Sequence, residues 1–410
     1  MSSSNITFRS TPQKVRDIKK FFMNNTKIGC VIAYKKNHTN YGTSLVGYAL
    51  VKKLQQLGYD IEIINYIKRL TLNDKIRYAW NAVRCGEIKK FLCAASKNDA
   101  YKSNPQYIRN IKTRTEAVEK YKEENLYPLF HDYVGFDSLC EGSARYSAII
   151  VGSDQVWLPL SLPNKFFNLL FADDKVRKIA YASSFGVSEI PAFQKKATGA
   201  YLDRFYRISV REQRGREIVE ELSHQKAEVV ADPTILLDGK EWEKECDKSQ
   251  VVVPEPYIFC YFLGSNQDAR HAANELKAMT GYKIIALRHM DEYVPEDEQF
   301  GDEAPYNVDP NDFVKLISRA SYVCTDSFHC TAFSIQFHRQ FMTFYRFAEH
   351  SKNGRNSRID SLFNVLGIDR ERIFSGDISL IDRPVDWAAA DKKLADLRAK
   401  SIGYITEALK

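Results

Sequence analysis

A histidine stands in the run Thr325-Asp326-Ser327-Phe328-His329-Cys330-Thr331-Ala332-Phe333. A short apolar stretch, Ser321 to Cys324, precedes it, and a segment with apolar residues at helical spacing follows. That order reads as a strand, a tight polar turn and a helix start. In the first turn of such a helix, the histidine neighbours unpaired backbone N–H groups and the positive end of the helix dipole. Anionic groups bind there. An imidazole beside an anion pocket points to acid–base chemistry on a phosphorylated or carboxylated substrate. His38, His289 and His338 lack such a setting, and His338, after Phe337, reads as a helix cap.

Arg211 closes the strand-like run Arg207-Ile208-Ser209-Val210. A guanidinium over the end of a sheet suits a carboxylate or a phosphate; a salt bridge to Glu212 or Glu217 is the alternative. In Gly152-Ser153-Asp154-Gln155-Val156-Trp157, the glycine permits close backbone approach and the next three residues supply donors and acceptors. Trp157 could stack on a sugar face, or the whole turn could be an internal anchor. Asn40-Tyr41-Gly42-Thr43 precedes a helix and could hold an anion or a hydroxyl-rich acceptor. Arg346, Arg355 and Arg358 form a basic cluster that could take a phosphate or serve as a solvated face. No G-x-x-x-x-G-K-[ST] and no G-x-G-x-x-G occurs, which argues against a P-loop NTPase and a dinucleotide site.

Alternating strands and helices must position these residues. Lys27–Tyr34 reads as a strand, Gly42–Leu57 as a helix and Ile61–Ile64 as the next strand. Residues 68–135 break the rhythm and read as an inserted helical arm, a solvated bundle packed on the sheet edge before a partner-binding device, with a membrane-facing role as a further alternative. The pattern resumes with strands at Tyr146–Val151, Lys178–Ser183, Tyr206–Val210 and Ala227–Ala231, and a helix at Ala192–Phe205. Residues 238–256 read as a connector. A second unit has strands at Tyr257–Leu263, Tyr282–Leu287 and Gln340–Tyr345, and Asp309-Pro310 starts a helix that runs to Arg319. The expectation is an α/β protein: a mobile or helical arm at 1–26, a first domain at 27–240, a second at 255–385, and a final helix at 386–410 packing back on the first. Ligands of such sheets bind outside the strands' carboxyl ends.

The 410 residues are 44% hydrophobic with net charge +7, enough for two cores and too weakly basic to indicate nucleic acid. No apolar run approaches the roughly 18–20 residues that span a bilayer. The basic, polar start lacks a signal-peptide core, so a cytoplasmic location is expected. The eight cysteines form no C-x-x-C pair, so no zinc or other metal site is expected, and Cys30, Cys260 and Cys324 read as buried thiols.

Taken together, Asn40-Tyr41-Gly42 with Leu45 and Ala49-Leu50, Gly152 to Trp157, Val210-Arg211-Glu212, Asp232-Pro233-Thr234, Thr325 to His329 and Asn356-Ser357-Arg358-Ile359 resemble the polysaccharide pyruvyl transferase family, in family order, over about residues 28–370. The resemblance implies two Rossmann-like domains facing a cleft, as in GT-B glycosyltransferases. It implies phosphoenolpyruvate as co-substrate and no cofactor, with ketal formation on two hydroxyls of a sugar in exopolysaccharide or capsular polysaccharide biosynthesis. Arg211 matches a donor-binding arginine and His329 the family's active-site histidine. Several members carry Arg-Leu-His where this chain has Ser327-Phe328-His329. The second donor arginine must then come from Arg346 or Arg358, or the donor differs. On this reading Arg211, Ser327, Arg346 and Arg358 face the donor. Asn40, Tyr41, Gly42, Ser153, Asp154, Gln155 and Trp157 face the acceptor, a lipid-linked or free oligosaccharide, with peripheral contact to the inner membrane face. A nucleotide-sugar glycosyltransferase and a non-catalytic glycan-binding protein are the alternatives.

Overall fold

The computed structural model describes residues 27–86, 104–253, 256–290, 293–346 and 356–410. The arm at 1–26 and Arg355 lie outside the described residues.

Apolar runs flanked by polar turns make two parallel sheets. The first takes β1 (Ile28–Val31), β2 (Ile61–Ile67), β3 (Phe130–Val134), β4 (Ala148–Val151), β5 (Arg177–Ser183), β6 (Arg207–Val210) and β7 (Ala227–Val229), in the order β3-β2-β1-β4-β5-β6-β7. Ile28 lies opposite both Ile61 and Ala148, so β1 is central. The second takes β8 (Tyr257–Tyr261), β9 (Lys283–Ala286), β10 (Tyr322–Thr325) and β11 (Gln340–Thr343), in the order β11-β10-β8-β9. Both are wound outward from an inner strand, giving two Rossmann-like units in the GT-B-like manner expected. Each has a point where the winding reverses: between β1 and β4 in the first sheet, and between β8 and β10 in the second. The residues just past those strands are Asn40 to Thr43, Gly152 to Asp154, Leu263-Gly264 and Asp326 to His329. A crevice at the carboxyl ends of such strands is where open α/β sheets bind ligands.

Two local differences from the sequence reading have physical causes. Phe130–Val134 at the end of the 68–135 segment is an edge strand, paired with β2 from Ile63↔Phe130 to Ile67↔Val134. Only Tyr133 of it is buried, so it lacks the apolar run that marks an inner strand. Residues 239–246 of the connector form a helix, started by a capping box between Asp238 and Glu241. The polar stretch after β9 contains a short 3-10 turn, Pro295–Glu298.

One continuous apolar core joins the two halves. Tyr41, in the first turn of the helix Tyr41–Gln56, stacks on Phe313 of the helix Pro310–Arg319 at 4.7 Å. Trp242 meets Phe333 edge-on at 5.0 Å. Each such ring contributes about 1.5–3 kcal/mol through burial, so apolar packing as well as polar contact fixes one unit against the other. The helix Trp387–Leu409 returns to the first sheet. There Tyr404 donates to the Ala180 carbonyl (2.9 Å), and Ser401 Oγ accepts the Ala231 N–H (2.8 Å), one residue before Asp232. His338 does end its helix: it takes φ +53°, its N–H bonds the Ile335 carbonyl, and its ring stacks on Trp387 at 5.0 Å.

Candidate active site

The carboxyl ends of β4, β6, β7 and β10 bring Asp154, Arg211, Asp232 and His329 together. Arg211 leaves β6 and is enclosed: its side chain is 1% exposed. It donates through Nη1 to Asp232 Oδ2 (2.9 Å) and through Nη2 to Asp154 Oδ1 (3.1 Å), and its Nε lies 3.6 Å from Glu212 Oε2. Asp232 caps the short helix Pro233–Leu236, accepting the Thr234 N–H (3.0 Å) and hydroxyl (2.8 Å) on Oδ1. That leaves Oδ2 for Arg211. The same oxygen lies 3.7 Å from His329 Nε2, across the gap between the two units.

His329 sits where its helix start places it. Ser327 is the N-cap of Phe328–Gln336, its hydroxyl accepting the Cys330 N–H (3.4 Å). Asp326 holds the facing loop by accepting the Leu263 N–H (2.6 Å) and the Gly264 N–H (2.8 Å). From the first unit, Gly42 presses on the ring: a Cβ built there would overlap His329 Nδ1. Only glycine permits that approach, which explains its place in Asn40-Tyr41-Gly42. The anion beside the imidazole is thus the protein's own Asp232. The ring is 8% exposed.

The electrostatics follow from enclosure. Burial pushes the Asp154 carboxyl up, but Arg211, His329 and Arg358 outweigh it and hold the group below the usual carboxylate range. Burial opposes Asp232 likewise, and His329 and Arg211 drive it far below that range. Glu212 goes the other way: burial dominates Arg211 and raises it, while Ser184 donates to its Oε1 (2.6 Å). Burial and then the charge of Arg211 push Arg358 down, to about 9, and Arg346 adds to the effect. Three guanidiniums therefore converge.

Several polar atoms here are buried without a hydrogen bond: His329 Nε2, Arg211 Nε, Glu212 Oε2 and Arg346 Nε. Buried polar atoms normally find partners. Each faces an opposite charge outside hydrogen-bond geometry: Arg211 Nε and Glu212 Oε2 face each other at 3.6 Å, Arg346 Nε lies 3.4 Å from Asp326 Oδ2, and His329 Nε2 lies 3.7 Å from Asp232 Oδ2. Among the described residues no group of three His, Cys, Asp or Glu side chains is placed to hold a metal ion.

The other expected site residues divide. Asp154 is at the centre, with Thr43 donating to its Oδ2 (3.3 Å). Ser153 supports it from beneath, donating to the Ala182 carbonyl (2.7 Å) and reaching Asp232 Oδ2 (3.4 Å). Asn40 caps its helix through the Thr43 N–H (3.2 Å). Arg346 and Arg358 reach the cluster from the second unit: Arg346 Nη2 donates to the Asp326 carbonyl (3.2 Å), and Arg358 lies over the Phe328 ring at 5.9 Å.

Two expectations are corrected. Trp157 does not face a sugar; it is buried among Phe185, Tyr201 and Phe205, with Nε1 donating to the Phe167 carbonyl (3.1 Å). Tyr41 is buried in the seam, donating to the Val308 carbonyl (3.1 Å). Gln155, half-buried, packs beside Gly186. Ser327 caps its helix as an acceptor, which leaves its O–H as a donor. Asp232 was missed as a site residue, although it stands in the strand-end run Asp232-Pro233-Thr234, a position that could have flagged it.

A cavity of about 250 Å³ opens along the same seam, between the helix Pro105–Asn125 and the segment after β9. Tyr107, Tyr293, Tyr306, Asn104, Arg288 and Glu298 line it. Arg288 donates to the Tyr306 hydroxyl (3.1 Å), and Asn104 and Tyr293 donate to Glu298 Oε1 (2.7 and 2.5 Å). Tyr306 connects it to the histidine: its carbonyl accepts Arg114 Nε (3.1 Å), Arg114 lies over the Tyr41 ring at 5.2 Å, and Tyr41 precedes Gly42.

Comparison with curated proteins finds no match. Among solved structures, the chain is similar to Anabaena HepE in complex with UDP and glucose (7% identity, 93% of this chain and 99% of that one, TM-score 0.47). It is also similar to Arabidopsis thaliana UGT89C1 (10%, 92% and 99%, TM-score 0.44) and to UDP-GlcNAc 2-epimerase from Neisseria meningitidis bound to UDP-GlcNAc (8%, 91% and 100%, TM-score 0.43). The family model described as polysaccharide pyruvyl transferase matches residues 40–346, a span that holds Gly42, Asp154, Arg211, Asp232 and His329. By that match the chain belongs to the polysaccharide pyruvyl transferase family.

Proposed function

We propose that this protein transfers the pyruvyl skeleton of phosphoenolpyruvate to two hydroxyls of one sugar, forming a cyclic ketal and releasing phosphate in surface-polysaccharide assembly. The observation that carries this is His329 Nε2, buried without a close hydrogen bond and 3.7 Å from the Asp232 carboxylate, which His329 and Arg211 keep ionised. A nitrogen so placed can deliver a proton to the methylene carbon of the donor. The resulting oxocarbenium centre is attacked by a sugar hydroxyl, phosphate leaves, and the second hydroxyl closes the ring. Atoms balance: donor plus diol gives ketal plus phosphate.

Asp232 and Asp154 place fixed negative charge beside the imidazole and the cationic centre, where preorganised charge counts most. Arg211 does not grip the donor on this reading; it orders both carboxylates. Arg358 and Arg346 hold the donor's carboxylate and phosphate, replacing the arginine absent at Ser327. Their mutual repulsion favours an anionic guest, which relieves it. The acceptor saccharide takes the tyrosine- and amide-lined cavity at the seam, where aromatic faces and amide groups suit sugar rings.

The test is phosphate release from phosphoenolpyruvate with galactoside acceptors. Loss in His329→Ala with activity kept in His338→Ala supports the reading. Equal activity in both refutes it, and stabilisation by a nucleotide sugar without stabilisation by phosphoenolpyruvate favours glycosyl transfer instead.

A further inference from the structure

The helix Leu72–Arg84 is turned the wrong way for a water-facing element. Leu72, Ile76, Trp80 and Val83 lie on one side and are 73%, 58%, 64% and 47% exposed. Their spacing of four, four and three residues makes one continuous stripe. The side that meets the protein carries Asn81, which is buried. Its Nδ2 donates to the carbonyls of Pro159 and Leu160 (both 3.2 Å), and its Oδ1 accepts Gln194 Nε2 (2.7 Å). A polar residue anchors the helix inward and large apolar side chains point outward. Isolated exposed apolar residues need no explanation, but a contiguous stripe marks an interaction surface.

The surrounding charge says what meets it. Lys68 and Arg69 precede the helix, Lys75 borders the stripe on one side, and Arg77 and Arg84 border it on the other. Against these five stands one acid, Asp74, which is already engaged with Thr71 and Arg77. A short amphipathic helix with bulky apolar residues flanked by bases is the pattern of an element lying in an anionic lipid interface.

We propose that this face docks on an anionic membrane surface, with Leu72, Ile76, Trp80 and Val83 entering the headgroup boundary. The helix follows β2, the neighbour of β1. It therefore rises from the sheet rim that carries Asn40 and Asp154, and docking there brings the crevice close to substrates carried on lipid.

Flotation of the full chain with vesicles tests this. Binding to equal parts phosphatidylglycerol and phosphatidylcholine is expected, weakening with salt, with none to phosphatidylcholine alone. Leu72→Ser with Ile76→Ser and Trp80→Ser should cut partitioning at least tenfold, with unchanged thermal stability because the side chains are exposed. Lys75→Gln should cut it roughly fivefold. The emission difference between wild type and Trp80→Phe should shift to the blue with vesicles. The proposal is overturned by equal binding of the triple variant, or by no preference for anionic vesicles. It is also overturned by a dimer that the triple variant dissociates, which makes a second copy the partner, or by a Trp80 shielded from acrylamide in the free monomer.

Discussion

Asp232 Oδ2 lies 3.7 Å from His329 Nε2 across the gap between the two α/β units, although the residues are far apart in sequence. Arg211 fixes that oxygen from behind at 2.9 Å. One carboxylate oxygen thus couples the order of the first sheet's rim to the imidazole presented by the second.

Asp232→Asn is expected to lower turnover about 10²-fold, within the range typical of general acid–base help, with little change in KM for phosphoenolpyruvate. The steady-state split between kcat and KM reads this out. Normal turnover would remove Asp232 from the mechanism.

Gly42→Ala is expected to displace the imidazole, because the new methyl overlaps His329 Nδ1. A shift of about 1 Å at a reacting group can cost about 10²-fold. Activity should fall by that order while the thermal midpoint moves little.

Arg211→Met strands buried carboxylates and is expected to destabilise the fold by about 3–5 kcal/mol. Asp154 and Asp232 are both held below the ordinary aspartate value of 3.8 in the folded state. Their stabilising contribution is therefore present above that value and lost as pH falls through the folded one. The gap between wild type and variant in urea midpoints should be full at pH 7 and narrow in acid.

Asp309 carries the opposite sign. Burial raises its carboxyl from 3.8 to about 6 while it caps the helix Pro310–Arg319. The folded state binds the extra proton, so its ionisation erodes stability as pH rises from 4 to 6. Asparagine caps equally well. Asp309→Asn should therefore gain about 1–2 kcal/mol at pH 7.5, allowing for solvent screening, and nothing at pH 4. Denaturant unfolding at the two values checks it.

The elements legible in the sequence are those whose signals are local. Asp309-Pro310 marks a helix start through a capping box that needs only four residues. His329 announces itself because a strand, a polar turn and an apolar helix are contiguous around it. Side-chain direction is not local. Trp157 closes a turn that holds Ser153, Asp154 and Gln155, yet the chain folds it under into Phe185 and Tyr201, so a ring expected to meet sugar is core. Tyr41 is likewise claimed by Phe313, more than 250 residues onward. Arg211 was placed on the right strand end, with Glu212 beside it as a possible partner, but Asp154 and Asp232, arriving from other loops, decide that it organises the rim, and no spacing within its own run records them. Phe130–Val134 escaped notice because an edge strand buries too little to leave an apolar pattern.

The most direct measurement is a crystal structure of the protein with phosphoenolpyruvate bound. The account predicts the carboxylate and phosphate on Arg358 and Arg346, with the methylene carbon within reach of His329 Nε2 and Arg211 still holding Asp154 and Asp232. A donor seated elsewhere, with the imidazole still closed between Gly42 and Asp232, would contradict it.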